Sequence, residues 1–375
     1  MKSIRKSLLV LAVIMLALTV SFTAFAAGHN TVEGQVKEVQ KYGNLTMDIN
    51  PSEFYDAGFE LGDMLTVTVG EKELEMPFVT DYSDVDTNNL LVRHDKDADI
   101  IVVAINMGDF AKTYEVEVGD ELSFEMKEKE GYLSGYLLHQ LDRTNKRSDY
   151  TLDSVYANFR SIATTGINPG VVYRSSSPIN NELNRAKYAD ELSEAVGIET
   201  VINLSDSKEK AEEYMAEQSQ KSDYYRSLYE DGNVITLNMG VDVNGEDFGK
   251  KLAEGLRFMI ENEGPYLIHC TEGKDRAGFM GVLLGALMDA EKQAIEDDYM
   301  QSYINYYGVE KGTEKYNIIA EDVTEMLKVI TGGKDPEHAD LEKAAEEYLM
   351  NGGMTKEQVN SLKNQLSTGV MKKAS

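Results

Sequence analysis

Residues 264–278 read Gly264-Pro265-Tyr266-Leu267-Ile268-His269-Cys270-Thr271-Glu272-Gly273-Lys274-Asp275-Arg276-Ala277-Gly278, and Cys270 is the only cysteine in 375 residues. Tyr266-Leu267-Ile268 is a short apolar run behind a turn signal, which predicts a buried strand. Ala277 to Ala290 is apolar and tolerant of glycine, which predicts a helix. A strand-loop-helix turn of this kind aims successive backbone N–H groups and a helix N-terminus at one point, and that point is an anion site. Gly273 and Gly278 stand where a backbone must bend tightly or approach a ligand closely.

The residue types inside the turn suit one chemistry. A thiol among N–H donors, a positive helix end and Arg276 favours its thiolate form, which is a nucleophile. The planar guanidinium of Arg276 can grip two phosphate oxygens at once. Attack on phosphorus would give a covalent thiophosphate that water then cleaves. A lone cysteine is more often a buried small hydrophobe. Here His at −1, Gly at +3, Arg at +6 and Gly at +8 coincide, a chance event of roughly one in 10⁵ per cysteine at average residue usage. The functional reading is the stronger one.

The pattern resembles the H-C-x5-R signature of the protein tyrosine phosphatase superfamily, and Gly273-Lys274-Asp275-Arg276 is similar to the loop of bacterial tyrosine phosphatases that also act on phosphoinositides. Asn158-Phe159-Arg160, Val172-Tyr173-Arg174-Ser175-Ser176, Thr200 to Leu204, Ile295 to Ser302 and Met354 to Leu366 resemble further segments of that group. The resemblance implies Cys270 as nucleophile and Arg276 as phosphate clamp. It also implies phosphate contacts from the backbone at Thr271, Glu272, Gly273, Lys274, Ala277 and Gly278. A leaving group needs a proton. Asp275 is the leading candidate to supply it, and Asp242 is the rival because the Met239 to Gly249 connection occupies the place of the mobile acid loop elsewhere in the superfamily. Lys274 is expected to add positive potential above the phosphate. The Glu272 side chain should repel highly charged polyphosphates. His269 reads as a prop for the loop, and Arg160 and Arg174 as residues shaping the pocket or closing strand-end salt bridges. The family usually has Asp and Arg where this chain has Asn203 and Ser205, so the second strand is not expected to supply a catalytic carboxylate. No metal-ligand spacing is present, no cofactor is implied, and an accessible thiol would be open to sulfenic acid formation.

Outward from the loop, strands and helices alternate. Leu183 to Val196, Lys208 to Tyr229 and Phe248 to Asn262 read as helices, and Thr200 to Leu204 and Asn233 to Leu237 as strands. This order predicts an α/β fold, a parallel-sheet phosphatase domain with flanking helices over residues 150–368. In such sheets ligands lie beyond the carboxyl ends of the strands, where Cys270 falls. Gly332 to Pro336 reads as a linker, with helices again over Ala339 to Met350 and Lys356 to Leu366. Residues 28–130 differ in texture. Alternating runs at Thr31 to Val39, Leu45 to Ile49, Leu65 to Val69, Glu73 to Val79, Ile100 to Ile105, Tyr114 to Val118 and from Leu122 predict a smaller all-β domain, barrel or sandwich. The polar stretch Asp142 to Asp149 reads as the connection between the two. Gln40 to Leu45 and Ile105 to Ala111 are similar to segments of the C-terminal β-domain of the S-adenosylmethionine hydroxide adenosyltransferases. That family's catalytic half has no counterpart here, so an accessory β-domain is expected rather than its activity.

Residues 1–26 read as a signal peptide. Lys2, Arg5 and Lys6 form a basic start, Leu8 to Val20 an apolar core and Ala24-Phe25-Ala26 a cleavage site. The chain carries a net charge of −28, and removing those three basic residues takes it to −31. Such an acidic surface stays soluble and repels polyanions, so nucleic acid is not an expected partner. The best basic cluster, Arg143 to Arg147, is short and flanked by Asp142 and Asp149. With one cysteine, no internal disulfide can form. The expectation is a secreted or cell-envelope phosphomonoester phosphatase without a stable membrane span after cleavage. Its substrate is a phosphotyrosine protein or a phosphoinositide. Two other classes compete: a phosphate-recognising binding protein without turnover, and a cell-surface interaction protein driven by the β-domain.

Overall fold

Alternating apolar residues in the first hundred positions close a barrel. The computed structural model describes residues 31–217, 222–245 and 247–368, and the expected signal peptide lies outside them. Seven strands, β1 (Val32–Val39), β2 (Leu45–Met47), β3 (Met64–Val69), β4 (Lys72–Val79), β5 (Leu90–Asp95), β6 (Ile100–Ile105) and β7 (Glu121–Glu128), run in the order β1-β2-β6-β5-β4-β3-β7. Only the β4–β5 pair is parallel, and closure leaves no free edge. Phe54, Phe59, Phe78 and Phe124 fill the interior with Leu65, Val67 and Met76, all fully buried. Gln40 to Leu45 and Ile105 to Ala111 meet at one end, where the Ala111 N–H donates to the Gly43 carbonyl at 2.9 Å.

One expectation in this region needs correction. Tyr114 to Val118 is not a strand. The Asp109 side chain caps a short helix, Phe110–Tyr114, by accepting from the Lys112 N–H, and Glu115 ends it in the left-handed region at φ 56°. Stacking of Phe110 on Tyr114, ring centres 4.6 Å apart, favours the turn over an extended run. Leu90–Asp95 is a further strand, outside the alternating runs expected from the sequence.

The second sheet orders β11 (Val234–Thr236), β10 (Thr200–Asn203), β12 (Tyr266–His269), β9 (Val172–Ser175) and β8 (Arg160–Ser161). All neighbours are parallel except β8 and β9, so this is an α/β fold with a mostly parallel sheet, preceded by the barrel. The central strand β12 pairs His269 with Asn203 on one side and Ser175 on the other. Every residue from Ala277 to Leu287 of the following helix, Arg276–Leu287, is buried. A helix apolar on all sides needs cover on all sides. The sheet covers one face, and helices Lys292–Tyr307, Glu314–Ile330 and Leu341–Asn351 cover the rest.

The expected helix Lys208 to Tyr229 is instead two, Lys208–Glu217 and Asp223–Glu230. The buried Asp190 carboxylate accepts from the N–H groups of Tyr224 and Tyr225 and so caps the second helix from a neighbouring element. The Asp142 to Asp149 stretch is also more than a tether. Buried Arg185 donates to the Thr144 carbonyl and the Asn145 side chain, each at 3.2 Å, and the Tyr156 hydroxyl donates to the Asn145 carbonyl at 2.7 Å. No helix among the described residues is long and apolar enough to cross a membrane.

Candidate active site

The loop after β12 is built by turning its carbonyls outward. The Thr271 carbonyl accepts from the Ser177 N–H at 3.1 Å. The Glu272 carbonyl accepts from the Tyr306 hydroxyl at 2.6 Å and from Asn158 Nδ2 at 3.3 Å. The Gly273 carbonyl takes Asn158 Nδ2 at 3.2 Å and Arg174 Nη2 at 2.8 Å, and Arg174 also reaches the Lys274 carbonyl at 3.0 Å. A peptide whose C=O points out presents its N–H inward. Among the described residues, the N–H groups of Thr271 to Asp275 meet no protein acceptor. The first N–H groups of helix Arg276–Leu287 add to them, because a helix leaves its leading donors without internal partners. The inward donors and the helix end make an anion cup with Cys270 at its start.

Arg276 closes the cup. Its Nη1 donates to the Met239 carbonyl at 2.8 Å and its Nη2 to Thr271 Oγ1 at 3.2 Å, while Nε is buried and finds no acceptor among the described residues. The guanidinium is thus held by two nitrogens, with a donor to spare, and it ties the Met239 to Gly249 connection to the loop. Burying such a donor unsatisfied costs about 1–3 kcal/mol, which a bound oxyanion would recover. Cys270 is 1% exposed and sits on the hydrophobic core. The expectation of an exposed thiol is therefore wrong, because the loop wraps the side chain on one side and the core packs it on the other.

Arg174 bonds the loop carbonyls from outside, and Arg160 braces Asn158 and Asp298 beside it. Arg174 is fully buried and pairs with Asp298 at 2.7 Å. Arg160 bonds Asp298 at 3.3 Å, Ser302 Oγ at 3.0 Å and Asn158 Oδ1 at 2.7 Å. Burial alone would raise the Asp298 carboxyl, but the two guanidinium charges outweigh it and hold it below the usual range. Gly278 and Gly281 make room for this arrangement, since a Cβ on either would stand 3.2 Å from an Arg174 nitrogen. Asn158, Asp298, Ser302 and Tyr306 were not singled out as site residues in the sequence. Asn158 lies in the N-F-R segment and Asp298 and Ser302 in IEDDYMQS, so their only available signal was membership of a matching segment, and Tyr306 had none.

The remaining side chains fall as follows. His269 Nδ1 lies 3.4 Å from the Cys270 carbonyl, and Nε2 is buried with no partner among the described residues. Burial lowers its pKa below the usual histidine range against the pull of Asp206, which favours the neutral ring. Lys274 Nζ lies 3.3 Å from Asp275 Oδ1 and 5.1 Å from the centre of the Tyr303 ring. Burial opposes its charge, but Tyr303, Asp275, Tyr307 and Glu272 outweigh it and keep its pKa above the ordinary lysine value. Asp275 is about half exposed. Asp242 is exposed, accepts from the Asn244 N–H at 2.9 Å and lines a depression of about 300 Å³ with Met239, Gly240, Gly245, Asp247 and Phe248. Glu272 is not a free charge, because its carboxylate pairs with Arg143. That corrects the expected repulsion of polyphosphates. Asn203 is buried in bonds to Asp206 and Tyr225 and so serves the strand end.

The tyrosine phosphatase family model matches residues 153–368, more than half of the chain, and the chain belongs to that family. The SAM hydroxide adenosyltransferase C-terminal domain matches residues 34–123. Among solved structures, an uncharacterized conserved protein from Thermotoga maritima is 33% identical over 25% of this chain and 36% of its own length, with a TM-score of 0.25. This chain thus spans about a third of that protein. The core catalytic domain of the PP-IP phosphatase SIW14 from S. cerevisiae is 17% identical over 45% of this chain and 93% of its own, with a TM-score of 0.26.

Proposed function

We propose that this tyrosine phosphatase family member hydrolyses phosphomonoesters, phosphotyrosine first among them, through a cysteinyl-phosphate. One observation carries the reading: a loop whose N–H groups turn inward between Cys270 and an Arg276 with an unsatisfied buried Nε. The Cys270 thiolate forms the S–P bond as the ester P–O bond breaks, and a carboxylic acid protonates the departing oxygen. The same carboxylate then takes a proton from water as water forms a P–O bond and the S–P bond breaks. Inward N–H groups and Arg276 stabilise the equatorial oxygens throughout. Phosphoinositides are the second reading. The Arg143 partner of Glu272 supports it, because the carboxylate that would oppose a polyanion is neutralised. The basic, apolar and A-x-A parts of residues 1–26 support export, with residues 28–130 as an accessory domain and residues 150–368 as the catalytic one.

The test is turnover of an aryl phosphate with chelator present, followed by phosphotyrosine peptides and phosphoinositides at matched ionic strength. Turnover is expected on all three, fastest on the peptides. Phosphopeptide binding without any hydrolysis would favour a receptor instead. The proton donor is tested separately. Asp275→Asn is expected to remove the basic limb of the pH–rate profile and lower kcat for a poor leaving group about 10²- to 10³-fold, with Asp242→Asn changing it less than tenfold. The reverse pattern would assign the proton to Asp242.

A further inference from the structure

The segment that joins the barrel to the α/β sheet sends a cation to the phosphate loop. Arg143 lies before residues 153–368, the part that matches the family. Its Nη2 pairs with the Glu272 carboxylate and its Nη1 donates to the Tyr307 hydroxyl at 2.7 Å. The guanidinium carbon stands 5.4 and 5.7 Å from the centres of the Tyr306 and Tyr307 rings. Both charged side chains are shielded, at 18% and 20% exposure, so their attraction is screened less than that of a surface pair. The same segment is anchored just upstream. Helix Leu133–His139 packs on helix Glu314–Ile330, where Ser134 Oγ donates to Asp322 Oδ1 at 3.3 Å.

Glu272 sits two residues after Cys270, and a free carboxylate there would repel an arriving phosphate dianion. We infer that Arg143 is a positioning residue for the phosphate site: it cancels the Glu272 charge and thereby makes phosphate affinity depend on the segment leaving the barrel. Tyr306 reinforces the arrangement, since it lies under the Arg143 cation and its hydroxyl holds the Glu272 carbonyl outward. The inference rests on the phosphatase reading. It goes beyond it by placing a determinant of binding outside the catalytic fold.

The test compares Arg143→Met, Arg143→Lys and Arg143→Met/Glu272→Gln in the full chain, with aryl phosphate for kinetics and inorganic phosphate as a competitive inhibitor. Arg143→Met is expected to raise KM and the phosphate Ki together by about tenfold, with kcat within about twofold, because an unpaired carboxylate opposes ground state and transition state alike. The defect should shrink at high salt. Arg143→Lys keeps the charge and should stay within about threefold of the wild type. Removing both charges should bring both constants back to within about threefold. A mere packing role would leave the double variant as impaired as Arg143→Met, and that result, or wild-type constants in Arg143→Met, overturns the inference while leaving the phosphatase reading intact. A wild type that neither turns over aryl phosphate nor binds phosphate overturns both.

Discussion

Cys270→Ser is expected to lower kcat for aryl phosphates by at least about 10⁴-fold while inorganic phosphate still binds within a few-fold of the wild-type affinity. The two halves of the result have separate causes. A serine hydroxyl gives up its proton far less readily than a thiol, so the covalent route loses its nucleophile, and removing a nucleophile from an assembled site costs about 10⁴- to 10⁶-fold. At 1.36 kcal/mol per tenfold, this is on the order of 5–8 kcal/mol of barrier. Binding survives because the cup is not made by the sulfur. Its donors are backbone N–H groups, held inward by Asn158, Arg174 and Tyr306 on the opposite side of the chain. The substitution is nearly isosteric at a buried position, so the melting temperature should move little. Rapid quenching with labelled substrate should trap phosphate on the wild type and none on the variant. Retention of more than about one part in a hundred of the activity would mean that water or another residue attacks phosphorus directly.

The strand, loop and helix around Cys270 were legible because everything that defines them is local. Strand, turn and helix occupy residues 266 to 287, and the periodicity of each is carried by its own side chains. The parallel sheet followed from the order of elements, and β12 lies at its centre with Cys270 just past its carboxyl end. What stayed hidden were interactions between segments far apart in the chain. Asn158 and Gly273 are 115 positions apart, Arg143 and Glu272 129. Nothing in the composition of a polar connecting stretch announces that one of its arginines reaches a loop so distant. The Arg174–Asp298 pair is hidden in the same way, because a strand arginine and a helix aspartate each look like ordinary surface charge until the fold buries them. The missed helix at Phe110–Tyr114 has a different cause. Tyr114 and Val116 alternate like a strand, and the local cap from Asp109 overrides the pattern.

Gly273→Ala should be the most damaging single-methyl change in the molecule, lowering kcat/KM by at least about 10³-fold and the unfolding free energy by roughly 3–5 kcal/mol. Two costs add. Gly273 has φ +68°, in the left-handed region, where a Cβ costs about 1–2 kcal/mol. That Cβ would also stand 2.2 Å from the Ser175 carbonyl oxygen, 2.3 Å from its carbon and 2.8 Å from the Ser176 nitrogen. These are backbone atoms with no rotamer to escape into. Ser175 is paired with His269 across the sheet, and the Ser176 N–H is bonded to the Ala157 carbonyl at 2.8 Å. The loop must therefore move instead, and the Gly273 carbonyl leaves Asn158 and the buried Arg174, whose Nε then loses its acceptor. Gly197 provides the contrast. Its φ is +71°, and a Cβ there meets no described atom within 4 Å, so Gly197→Ala should cost only the backbone strain, about 1–2 kcal/mol, and leave turnover unchanged. Denaturant unfolding of the two variants separates strain from collision. Equal losses would mean that Ser175 and Ser176 yield easily, and that the narrow seat of the phosphate loop is not what fixes its shape.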